Sequence, residues 1–111
     1  MSTASSIAAT PEPPYVAVIF TSKRTLEDRG YDAVSDRMVE LGSTYPGFLG
    51  IESARGADGL GITVSYWKDL ESVKAWKMNQ EHQRAQAAGK ATWYDSYSVR
   101  IATVERAYGQ P

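Results

Sequence analysis

The sequence predicts an α+β fold in which four strands and two helices follow one another as β-α-β-β-α-β. Three observations carry that reading: four short runs rich in β-branched and aromatic residues, two intervening stretches whose apolar residues recur at helical spacing, and turn residues at the junctions. The first strand is Tyr15-Val16-Ala17-Val18-Ile19-Phe20-Thr21, closed by the polar stretch Ser22–Arg29. Tyr31, Val34, Met38 and Leu41 then fall at intervals of three, four and three, one face of a helix that ends near Gly42. Pro46-Gly47 turns the chain into a second strand, Phe48–Ala54, and Gly56-Ala57-Asp58-Gly59 loops it back into a third, Leu60–Trp67, giving a hairpin. Asp69 is placed to cap a second helix carrying Leu70, Val73, Trp76 and Lys77. We expect this helix to break near Asn79 and resume over Glu81–Ala88, ending at Gly89. Thr92–Glu105 is the last strand. Two βαβ-like halves in this order are the signature of a ferredoxin-like sandwich, here a single domain over residues 15–108.

Residues 1–14 are small and polar and end in Pro11-Glu12-Pro13-Pro14, a composition that buries no core, so they are expected to form a disordered tail. The remaining composition is that of an ordinary soluble domain, 42% hydrophobic and 23% charged in 111 residues. No run approaches the ~20 apolar residues of a membrane span, and the N-terminus lacks the basic and apolar regions of a leader, so a cytoplasmic protein is expected. Twelve basic against thirteen acidic side chains leave a net charge of −1, which offers nothing to nucleic acid or anionic lipid. With no cysteine and one histidine, thiolate sites, disulfides and a multi-histidine metal site within one chain are excluded. Any chemistry must draw on aromatics, one imidazole, hydroxyls and carboxylates, with neither metal nor cofactor expected.

Two helices cover one face of such a sheet, and the other should then alternate to polar residues in a monomer. In this chain it does not. Val16, Val18 and Phe20 share one face of the first strand and Tyr15, Ala17 and Ile19 the other; in the third, Ile62, Val64 and Tyr66 oppose Thr63, Ser65 and Trp67. A homodimer packed sheet to sheet would bury the second apolar face, and an overhang of the last strand near Val104–Tyr108 could seal an edge against the partner.

Trp67 and Trp76 flank the start of the second helix, and His82, the one histidine, follows six residues after Trp76. On an unbroken helix six residues turn through about 600°, or 240° net, so only a break near Asn79 would bring the two to one face. Two readings stand side by side. Trp76 fills the core while His82 sits on a half-exposed rim, or the two form the wall and polar handle of a pocket for a planar substrate whose phenol or enol an imidazole can deprotonate. The loop Gly56–Gly61 resembles a phosphate-binding loop superficially, but it joins two strands and is read as a hairpin loop. Glu71, Lys74, Lys77 and Glu81 read as the solvated face of the helix.

The element order, the segment Tyr66-Trp67-Lys68-Asp69-Leu70-Glu71-Ser72-Val73-Lys74-Ala75-Trp76, the later His82 and the strand through Tyr97–Val104 resemble the antibiotic biosynthesis monooxygenase family of dimeric α+β barrel proteins. The resemblance covers roughly Tyr15 to Arg106. It implies an oxygenase-like domain without naming its substrate; the reading adopted is a cofactor-independent monooxygenase that uses dioxygen on a planar aromatic, polyphenol or quinol, with His82 catalytic and Trp76, Trp67, Phe20, Tyr66 and Asn79 binding substrate. Its haem-degrading branch implies a Trp matched by Trp76, an iron-ligating His where this chain has Gln86, and an Asn that the first strand lacks. A haem-binding relative and a non-catalytic small-molecule-binding dimer are the alternatives.

Overall fold

A computed structural model describes residues 7–24, 40–87 and 94–109, without the side chains of residues 80–87, 94 and 95. Strands β1 (Tyr15–Arg24), β2 (Phe48–Arg55), β3 (Leu60–Trp67) and β4 (Tyr94–Val104) form one antiparallel sheet in the order β2-β3-β1-β4. This order places the two strands of each βαβ half either side of a third, as the ferredoxin-like reading requires. A long helix, Leu70–Ala87, links β3 to β4. Of the first predicted helix only its end, residues 40–43, falls within the described residues. No described helix is long and apolar enough to cross a membrane.

Register assigns the faces. Val16 lies opposite Trp67 and Thr103, Val18 opposite Ser65 and Ile101, and Phe20 opposite Thr63 and Val99. Directly opposed residues point the same way, so these side chains share one face. The core of Val16, Trp67 and Val73, with Val18, Tyr45, Phe48 and Trp76 packed against it, shows that this is the face the long helix covers. Tyr15, Ala17, Ile19, Ile62, Val64 and Tyr66 line the opposite, open face. Arg55 ties the far end of the sheet together: its Nη2 donates to the Ser22 hydroxyl at 2.8 Å, and Ser22 is almost fully buried.

Two expectations meet a different structure. The second helix is unbroken through Asn79, because a residue of modest helical propensity is carried along when an inward stripe that includes Val73 and Trp76 continues to pack. Of residues 1–14, expected to form a disordered tail, residues 1–6 lie outside the described residues, while residues 7–14 cross the open face of the sheet: the Ala8 amide donates to Glu52 Oε2 at 2.9 Å, and Thr10 Oγ1 lies 2.8 Å from the Tyr15 hydroxyl.

Candidate functional site

The helix-covered face concentrates aromatic surface at the end of the sheet where β3 runs into the long helix. Trp67 closes β3 opposite Val16 and Phe48 and is 1% exposed, its indole N–H donating to the Ser65 hydroxyl at 2.9 Å. The Asp69 carboxylate accepts both the amide and the hydroxyl of Ser72, at 2.9 and 2.8 Å, which starts the helix immediately after the strand. These bonds, the amide first, hold the Asp69 carboxyl below its usual range. One turn on, Trp76 reaches back to stack on Trp67, ring centres 6.2 Å apart and planes at 22°. Tyr45 meets the Trp76 ring edge-on at 5.1 Å, and Phe48 meets Trp67 in the same manner at 5.4 Å. The result is an aromatic wall built from three separate parts of the chain.

Asn79 follows Trp76 by three residues and is therefore its neighbour on the helix surface. Its side-chain Oδ1 is sealed from solvent and accepts no hydrogen bond among the described residues. A buried carbonyl without a donor costs roughly 1–3 kcal/mol and invites an explanation. Further down the same sheet face Phe20 packs against Tyr97 with ring centres 5.7 Å apart, while Tyr97, Val99 and Ile101 on β4 remain about half exposed. The wall and the orphan acceptor are packed within this face, and the half-exposed side chains of β4 leave open apolar surface further along it, of a kind that suits a flat ring.

Four of the expected substrate contacts, Trp67, Trp76, Phe20 and Asn79, thus belong to the helix-covered side. Phe20 stands four residues from Val16 along β1, roughly 13 Å from the tryptophan pair. Tyr66 does not join them. Consecutive strand residues point to opposite faces, so Tyr66 lies on the open face with Tyr15, ring centres 5.8 Å apart, and donates to Glu52 Oε1 at 2.7 Å. Burial, then the Glu52 carboxylate, pushes its phenol up to about 12. The side chain of His82 lies outside the described residues; its position on the unbroken helix is about 120° from Trp76 and about 60° from Asn79. Asn79 is the intermediate step between them, so no break is needed to connect the three. Tyr45 and Phe48 join the wall without having been expected there, since single aromatics either side of a Pro-Gly turn show no periodicity that assigns them to it.

Fold and site define an α+β sandwich with an aromatic cluster on its helix-covered sheet face. The chain belongs to the antibiotic biosynthesis monooxygenase family, which it matches over residues 17–88. The uncharacterized protein YqjZ of Bacillus subtilis strain 168 is 51% identical over 100 residues, spanning 90% of this chain and 88% of its own. Among solved structures, a variant of SnoaB, a cofactor-independent oxygenase from Streptomyces nogalater, superposes with a TM-score of 0.70 at 13% identity, covering 86% of this chain and 98% of its own. SO0527 from Shewanella oneidensis gives 0.69 at 9% identity over 85% and 94%. At such identities the structural likeness is one of fold.

Proposed function

We propose that this protein is a cofactor-independent monooxygenase acting on a planar hydroxylated aromatic or quinol, working as a cytoplasmic homodimer. The observation that carries the reading is the unpaired, buried Oδ1 of Asn79 beside the stacked Trp67–Trp76 pair. A phenolic O–H that reaches that oxygen when the side chains over it part satisfies it, and the indole wall fixes the plane of the ring. Trp76, Asn79 and His82, each three residues from the last, then present wall, acceptor and base along one oblique row of the helix.

In the reaction this arrangement suits, His82 removes a proton from a second hydroxyl of the bound ring or from the acidic carbon that the ring activates. The resulting anion delivers its electrons to dioxygen; one oxygen atom enters the substrate, and the other leaves as water with two hydrogens lost from the substrate, both from the reacting carbon of a methylene or one from the hydroxyl and one from the ring carbon of a phenol. The protein's task is to hold the anion in a dry, oriented state. The family membership and the likeness to an oxygenase of known cofactor independence support this reading.

Oxygen uptake by the purified protein with a panel of naphthols, anthrones and quinols is the direct test. Turnover of at least one planar substrate, lowered ~10²–10⁴-fold in His82→Ala with the melting temperature retained, is the expected result. Ligand-dependent melting shifts without any oxygen consumption would make it a binding protein instead. An unchanged rate in His82→Ala would remove the imidazole from the mechanism.

A further inference from the structure

The side of the sheet turned away from the pocket has a built-in occupant. Residues 7–14 run over the end of the open face where Tyr15 and Ala17 are each 5% exposed, while at the other end Leu60 and Ile62 stay about half exposed. The contact is specific at three points. Glu52 spends one carboxylate oxygen on the Tyr66 phenol at 2.7 Å and the other on the Ala8 amide at 2.9 Å, so one side chain joins β3 to the arm. Thr10 and Tyr15 share a hydroxyl hydrogen bond at 2.8 Å. Gly50 leaves room for the arm: a Cβ there would stand 2.9 Å from the Ala8 methyl carbon, closer than such atoms approach. Gly50 also sits where the β2–β3 register shifts. A bulge, a glycine and a shared carboxylate on one short stretch of β2 make a seat for an extended chain.

We propose that residues 7–14 are a releasable strap that occupies the Tyr15–Tyr66 end of the open sheet face and confines a second copy of this chain to the Leu60–Ile62 end. The polar contacts described between the strap and the rest of the chain are two, Ala8 to Glu52 and Thr10 to Tyr15, and a segment tied by few hydrogen bonds at a chain end is among the parts that open most readily. When it lifts, Tyr15, Ala17 and Tyr66 join Leu60 and Ile62 in one continuous apolar surface, and a wider sheet-to-sheet contact becomes available.

The test uses the full chain in two loosened variants. Ala8→Pro removes the donor to Glu52 from a segment that lies outside the sheet, so the core folds as before. Gly50→Ala drives a methyl group into the arm from the opposite side. Amide hydrogen exchange of the N-terminal peptide reports release, and sedimentation equilibrium reports self-association. Exchange at least tenfold faster, together with self-association at least tenfold tighter in both variants, is the expected result. Unchanged exchange would show that the seat is not the one described; faster exchange with equal or weaker association would overturn the strap's control of the face. The second readout rests on the homodimer reading, and the two failures separate: a wild-type chain that stays monomeric defeats the dimer, whereas a wild-type dimer with unaltered affinity in the loosened variants defeats the strap alone. The pocket lies across the sheet, so oxygen uptake is the same in all three proteins.

Discussion

At the scale of single residues, Asn79 separates a ligand contact from a structural one more cleanly than any aromatic in the site. A residue held for stability loses stability when truncated; Asn79 carries an unsatisfied buried acceptor, so Asn79→Ala deletes a cost of roughly 1–3 kcal/mol and also gains helical propensity. The expected outcome is a melting temperature equal to or above wild type, with kcat/KM for the phenolic substrate down about tenfold or more; a lower melting temperature with intact turnover would reverse the assignment. Trp76 behaves in the opposite manner. It packs against Trp67 and Tyr45, so Trp76→Ala loses up to ~3–5 kcal/mol in urea denaturation, and Trp76→Phe, which keeps a ring, loses much less. Tyr66 gives a signal at alkaline pH. Its phenol titrates higher in the folded state than in the unfolded chain, so the native state binds the proton more tightly and the stability this contributes is fully present below pH 10 and lost as pH rises towards 12. Tyr66→Phe lacks that titration, and its melting temperature should fall less than that of wild type between pH 10 and 12.

Among the elements, the long helix shows both what the sequence reveals and what it conceals. Its start was legible because an Asp just before a run with apolar spacing has a specific job, and the Ser72 contacts are that job. The hairpin and all four strands were legible for a similar reason, since β-branched runs bounded by glycines have few alternatives, and β1 merely runs on to Arg24. The continuation through Asn79 was not legible. Local propensity argued for a break, and only the packing of the inward stripe, a tertiary effect, overrides it. The residue that looked like a breaker is instead a buried polar group beside the wall, so a local conflict marked the candidate site. The N-terminal arm was illegible in another sense: its anchor is a backbone amide, which every non-proline residue carries. The cap supplies a test in acid. The Asp69 carboxylate is held below its usual pKa, so its contribution is present above pH 3.8 and fades as pH falls through the lower folded value. Asp69→Ala should therefore melt below wild type at pH 7 and converge with it as acid protonates the carboxylate in the folded state.

For the whole molecule, two sheet faces with apolar surface and an exposed C-terminal extension argue for assembly. Beyond β4 the chain continues over residues 105–109, where Tyr108 is 98% exposed, and β4 is an edge strand with one hydrogen-bonding side unpaired among the described residues. A second copy meeting the open face and this edge buries both. Sedimentation equilibrium at micromolar concentration should give twice the 12.2 kDa of one chain, and removal of residues 105–111 should weaken the association. A monomer at these concentrations would confine the function to what one chain can enclose.

The turn ahead of β2 has a bearing on how this pocket could be redesigned. Gly47 adopts φ of +88°, its carbonyl accepts from the Lys68 amide at 2.7 Å, and a Cβ on it would collide with the Ser72 hydroxyl. One backbone position therefore abuts the first turn of the helix that carries the wall, while its neighbours Tyr45 and Phe48 supply rings to that wall. In a library randomised over residues 45–48 and selected for a new aromatic guest, positions 45 and 48 should accept many rings and chains, whereas nearly every survivor should keep glycine at 47. The pocket's palette is free to vary because its hinge point is not.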